Sequence, residues 1–227
     1  MASHGKREVQ ARIDRDGVVP VFYDSDVEVA KAVARSLATG GLTVLEFTNR
    51  GDGAMRVFAE LAAWARADLP ELVVGVGTVT HAATAIHALD LGADFVFGPT
   101  LDPDVAAACH ERNVPYVPGC ATLTEITAAY RLGCDRVKLF PADAVGGPSF
   151  LRAVRAPCPW IQAIPTGGVE PTVASLRAWY EAGAPAVGMG SRLLTKDLIA
   201  AGDWGGLERK VIETVSAVAE ARRITTS

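Results

Sequence analysis

The chain has 227 residues, 49% of them hydrophobic and 21% charged, with a formal net charge of −4. That length and apolar content provide for one sizeable core, and barrels of this size commonly form a single domain. The acidic balance, with arginines scattered along the chain, offers no basic field for nucleic acid. Met1 to Glu8 is polar without an apolar signal core. No later stretch approaches the roughly 18 apolar residues of a membrane span, so a cytoplasmic protein without membrane contact is expected.

A polar helical segment over residues 5 to 16, closed by Asp16-Gly17, precedes a repeating rhythm of short β-rich runs and longer helical patterns. Strands are expected at Val18–Tyr23, Thr43–Thr48 and Leu72–Val76, followed by helices at Asp26–Thr39, Ala54–Ala67 and His81–Leu91. Phe95–Gly98 leads to a helix at Pro103–Arg112, and Tyr116–Pro118 to one at Leu123–Leu132. The sixth strand, Arg136–Phe140, precedes a seventh at Ile161–Pro165 with a helix at Pro171–Ala182. The eighth, Ala186–Met189, leads to a last helix near Gly206–Arg222.

Strands separated by a helix must run parallel, and eight units of about 25 residues suit a closed (β/α)8 barrel. Gly40-Gly41-Leu42, Gly92-Ala93 and Gly183-Ala184 supply the left-handed helix stops of short αβ loops. A doubly wound sheet is the alternative, lowered by the absence of Gly-x-Gly-x-x-Gly after every strand. The expected architecture is therefore an α/β single-domain TIM barrel over about 18 to 194, with an N-terminal helix. In the segment 195 to 227, Leu207, Val211, Val215 and Val218 recur at helical spacing, which predicts an extended C-terminal helix covering the barrel.

Active-site residues of such barrels gather at the C-terminal ends of the strands. There Glu46, Thr48 and Arg50 alternate onto one face, and Lys138 shares a face with Phe140. An ammonium inside an apolar strand is expensive unless it has a task. Burial disfavours the charged form of a lysine, and the neutral amine is the form that attacks a ketone. A strand-end lysine reaching solvent along its stem is the structural alternative, as is a barrel-mouth ion pair of Lys138 with Glu46 and Arg50.

An amine, a carboxylate and a guanidinium at one mouth suit a small 2-oxo acid. Lys138 can condense with its ketone to an iminium, Glu46 can shuttle protons, and Arg50 can hold the carboxylate in a bidentate fork. Thr166-Gly167-Gly168 and Gly190-Ser191 after the last two strands are either ordinary loops or a backbone phosphate site, to which Arg192 could add charge. Four cysteines without Cys-x-x-Cys and four histidines without metal-ligand spacing predict no metal site.

Several motifs occur together and in order: Leu45-Glu46-Phe47-Thr48-Asn49-Arg50, the turn Gly75-Val76-Gly77-Thr78, Pro118-Gly119, Lys138-Leu139-Phe140-Pro141-Ala142 and Pro165-Thr166-Gly167-Gly168. On these the chain resembles, from about Val18 to Leu194, the 2-dehydro-3-deoxy-6-phosphogluconate (KDPG) and 4-hydroxy-2-oxoglutarate aldolase family of class I aldolases. The resemblance implies that Lys138 is the Schiff-base lysine, Glu46 the proton shuttle, and Arg50 with Thr78 the grip on the pyruvate carboxylate. It further implies that Phe140 packs beside the iminium and that Pro99 lines the pyruvate pocket. Thr166, Gly167, Gly168, Gly190 and Ser191 would hold the distal phosphate or hydroxyl end. No cofactor and a homotrimeric assembly go with it.

Ala121 stands where a serine is common, Arg192 replaces a frequent aromatic, and Thr100 stands where glycine often follows the pocket proline. These departures leave open the choice between phosphorylated and shorter or unphosphorylated substrates. Two other readings keep their place: a phosphate-binding isomerase or synthase on the same barrel, and a catalytically silent sugar-acid-binding or assembly protein. The retained Lys138 and Glu46 favour the aldolase.

Overall fold

The computed structural model describes residues 2–225. Alternation along the strands divides the apolar residues into two sets, as expected of parallel strands covered on both faces. In β2 (Val44–Thr48), for example, every residue is buried. Leu45 and Phe47 face outward into the layer of helices, whereas Val44 belongs to an inner cluster with Val19, Val73, Phe95, Phe97, Val117, Ile164 and Ala186. Val9 and Ile13 of α1 (Lys6–Asp16) join that inner cluster, so the N-terminal helix plugs one end of the barrel.

The parallel ladder runs from β1 (Val18–Phe22) through β2, β3 (Val73–Gly77) and β4 (Val96–Phe97) to β5 (Tyr116–Val117). A second ladder joins β6 (Gly119–Cys120), β7 (Val137–Leu139) and β8 (Ala163–Pro165). Only Pro118 separates β5 from β6. It has no N–H to donate to the ladder, yet its carbonyl accepts from Lys138 N at 2.7 Å. The two pieces are therefore one barrel strand, the fifth of eight. A Thr166–Gly188 bridge joins β8 to β9 (Val187–Met189), and β9 pairs with β1, which closes the ring.

The outer helices are α2 (Val27–Thr39), α3 (Ala54–Asp68), α4 (Ala82–Asp90), α5 (Pro103–Glu111), α6 (Leu123–Arg131), α7 (Gly147–Arg155) and α8 (Val173–Glu181). Side-chain caps fix several entries: Asp26, Asp102 and Thr172 each accept from N–H groups of the first turn. Gly92 and Gly183, both with φ of about 92 to 96°, supply the left-handed stops that the sequence predicts.

Two helices are given no range of their own in the sequence reading. One is α7, which starts at Gly146-Gly147-Pro148 and buries only Leu151 and Val154. The other is the five-residue α9 (Lys196–Ala200). α10 (Trp204–Thr225) packs between α8 and α2. It thus fills the eighth helical position of the ring, as the helix of the last β/α unit, rather than lying outside it. Val211 of α10 sits so close to Gly40 that a Cβ there would overlap it.

Candidate active site

Glu46 lies on the second barrel strand and Lys138 on the sixth, which are opposite one another in a ring of eight. Side chains from alternate strands share layers inside such a barrel. The Lys138 ammonium accordingly reaches across the axis and donates to Glu46 Oε1 at 3.0 Å and Oε2 at 3.2 Å. Its Nζ also stands 5.5 Å from the ring centroid of Phe97, on the fourth strand, and 5.6 Å from that of Phe140. Glu46 is fully buried and Lys138 is 6% exposed. Each charge makes the other tolerable, and removing one member of such a pair typically costs about 3 to 5 kcal/mol.

Glycines make the space. On the inner face of β3, a Cβ on Gly77 would overlap Oε1 of Glu46, and one on Gly75 would overlap the Phe95 ring. On β9, a Cβ on Gly188 would overlap the Thr166 hydroxyl. Thr166 Oγ1 is buried and makes no hydrogen bond. An unpartnered buried hydroxyl on a residue that borders a cavity can serve an oxygen of a bound molecule.

A cavity of about 760 Å³ opens at the C-terminal mouth, within the range of small-molecule sites. Arg50, Phe140, Thr166, Gly167, Gly168, Gly190 and Ser191 all border it, so seven of the residues singled out in the sequence converge there. Thr78 and Pro99, which follow β3 and β4, do not border this cavity, and neither do Glu46 and Lys138, whose buried pair lies nearest to it through Phe140. Thr78 takes φ 61°, and the Pro99 carbonyl packs against Gly119.

The Gly167-Gly168 turn, with φ of 105° and 69°, lies against Asp143, which a Cβ on Gly168 would strike. Arg192 also borders the cavity, but it is ion-paired with Glu170, Nε to Oε1 at 3.0 Å. The positive charge that Arg192 could add is thus matched by a carboxylate. Sequence reasoning did not single out Tyr23 and Asp24 after β1, or Lys196 and Ile199 on α9, which line the same cavity. For Tyr23 and Asp24, the position just past a strand's C-terminal end was the available signal.

Among the described residues, no group of three or more His, Cys, Asp or Glu side chains could hold a metal ion. None of the described helices is long and apolar enough to cross a membrane.

Residues 9–210 match the family model of the KDPG and KHG aldolases. A 2-dehydro-3-deoxy-phosphogluconate aldolase of Pseudomonas aeruginosa is 35% identical over 225 residues, covering 97% of this chain and 99% of that protein. The KHG/KDPG aldolase of Escherichia coli is 30% identical over 210 residues, covering 92% of this chain and 96% of its own length. Among solved structures, the KDPG aldolase of Legionella pneumophila superposes with a TM-score of 0.81 at 26% identity, covering 91% of this chain and 97% of that one. In that crystal, pyruvate is captured as a covalent carbinolamine.

Proposed function

The chain belongs to the KDPG and KHG aldolase family and is therefore a carbon–carbon lyase, and we propose that it splits a 2-oxo-4-hydroxy acid at a Schiff base on Lys138. The substrate is 2-dehydro-3-deoxy-6-phosphogluconate or 4-hydroxy-2-oxoglutarate. The products are pyruvate and an aldehyde, glyceraldehyde 3-phosphate or glyoxylate respectively. The observation that carries this reading is the buried contact of 3.0 Å between Lys138 Nζ and Glu46 Oε1 at the centre of the barrel. It puts a proton acceptor against the one strand-borne amine, whose Nζ is 5.6 Å from the ring centroid of Phe140, a residue that borders the open cavity.

In this reading Glu46 takes a proton from Lys138, and the free amine adds to C2 of the substrate. The carbinolamine loses water, assisted by protonation from Glu46, to give the iminium. Removal of the C4 hydroxyl proton then breaks the C3–C4 bond, whose electron pair passes into the iminium. The aldehyde leaves and an enamine remains. Protonation at C3 and hydrolysis release pyruvate and restore Lys138. The electron sink is organic, so this sequence calls on no metal or cofactor.

The other residues have positioning roles. Arg50 and Thr78 hold the carboxylate, Phe140 and Pro99 flank the pyruvyl carbons, and the Thr166 hydroxyl meets a substrate oxygen. Backbone N–H groups of Gly167, Gly168, Gly190 and Ser191 hold the distal group. We further propose a single cytoplasmic domain that assembles as a homotrimer, which light scattering tests.

Incubation with pyruvate and borohydride, followed by peptide mass spectrometry, tests the chemistry. A reduced adduct is expected on the peptide containing Lys138 and absent in Lys138→Ala. An adduct on another lysine, or none in the wild type, overturns the assignment.

A further inference from the structure

The segment after β9 forms one wall of the cavity, and its geometry is fixed. The Gly190 carbonyl accepts from Leu193 N at 3.0 Å and Leu194 N at 2.9 Å, and both leucines are buried. α9 begins two residues later. Its end is tied by Asp203 N donating to the Leu198 carbonyl at 2.9 Å and Gly202 N to the Ile199 carbonyl at 3.0 Å. Lys196, Ile199 and Ala200 of this held helix border the cavity, as do Tyr23 past the neighbouring β1 and Arg50 past β2.

The charges around the cavity are not balanced alike. Arg192 is tied to Glu170. Lys196 has no carboxylate partner among the described residues, where the ion-paired lysines are Lys6, Lys31 and Lys138. Arg50 likewise has no carboxylate partner among the described residues. The cavity therefore carries two unmatched cations, one past β2 and one past β9, with β1 between them. Asp24 on the wall and Asp143 behind the Gly167-Gly168 turn are both acidic. They oppose an anion that only backbone N–H groups would hold.

We infer that Lys196 is a specificity-determining residue whose ammonium binds the distal phosphate of the substrate, while Arg50 takes the carboxylate at the other end. This deepens the aldolase reading and rests on it. Lys196 offsets the repulsion from Asp24 and Asp143, and the pinned α9 is what holds it on the cavity wall.

The test compares kcat/KM for the phosphorylated six-carbon acid and its unphosphorylated analogue in wild type, Lys196→Gln and Lys196→Arg. In Lys196→Gln the phosphorylated-to-unphosphorylated ratio should fall about tenfold, the scale of one charge-assisted hydrogen bond, mainly through KM. Lys196→Arg should restore most of the ratio, and added salt should shrink the wild-type preference. An unmoved ratio, an equal loss on both substrates, or no wild-type preference overturns the inference. If wild type still forms the borohydride adduct on Lys138 in those cases, the aldolase chemistry stands and only the role of Lys196 falls. If no adduct forms, both fall.

Discussion

Gly77 lies against the carboxylate of Glu46, in the space that a side chain at position 77 would occupy. Glu46 pairs with Gly75 in the parallel register of β2 and β3, and Gly77 is the next inner-face position toward the mouth. The carboxylate therefore leans over β3 and still reaches Lys138. Gly77→Ala should displace it. The backbone of Gly77 is not left-handed, so the variant should fold, with about 1 to 3 kcal/mol lost to overpacking. Turnover should drop at least about tenfold, because a misplaced proton shuttle loses much of its effect. Thermal melts beside steady-state kinetics check this, and a folded Gly77→Ala enzyme with wild-type kcat would falsify the claim that Gly77 places the carboxylate.

Glu46→Gln separates a catalytic carboxylate from a structural one. The amide keeps the volume and an acceptor oxygen for the Lys138 ammonium, but it cannot carry a proton between steps. Loss of a general acid–base group typically costs about 10² to 10⁴ in rate. That loss is expected in kcat, with a native circular dichroism spectrum. A lower melting temperature combined with near-normal turnover per folded molecule would make Glu46 an ion-pair partner only.

Much of this arrangement was legible in the sequence because strand periodicity is local. The spacing of Glu46 from Thr48 and of Lys138 from Phe140 marks inner-face positions without any tertiary information. That residues 92 apart would meet across the axis is not local, and it followed only from the barrel expectation together with the motifs. The helix at Gly147–Arg155 escaped because its two buried residues, Leu151 and Val154, give too little pattern against a glycine and proline start. The choice left open for Arg192, whether or not it adds charge to the loop, turns on a similar non-local contact. Its neighbour in sequence is Ser191, but its charge is met by Glu170, placed there by the preceding β/α unit. The place of α10 as the eighth helix of the ring depends on the ring closing, which no window of sequence shows.

The cysteines differ in reactivity. Burial pushes the thiols of Cys109 and Cys120 up to about 12 and that of Cys134 up to about 11. The thiolate is the reactive species, so these three should be inert in the folded protein at pH 8. Cys158 is partly exposed. Iodoacetamide at pH 8 should label the Cys158 peptide first, and all four cysteines only in guanidinium. Alkylation of Cys109 at the rate of Cys158 in folded protein would contradict the packing around α5.

The start of α6 carries a pH-dependent contribution to stability. Glu125 Oε2 accepts from Ala121 N at 2.8 Å, Thr122 N at 2.9 Å and Thr122 Oγ1 at 3.0 Å, while Glu125 N donates to Thr122 Oγ1 at 3.2 Å. Foremost the Ala121 N–H, and then the Thr122 donors, hold the Glu125 carboxyl below its ordinary value. Because the folded value lies below the unfolded one, the contribution is fully present above the ordinary carboxylate range. It is lost as pH falls through the folded value. The site is largely exposed, so Glu125→Gln should cost only about 0.5 to 1 kcal/mol at pH 7, within the range of capping interactions after screening. Urea melts at pH 7 should show that gap, and it should close as the pH drops below about 4. A gap of constant size from pH 7 to pH 3 would mean that the carboxylate charge is not its source.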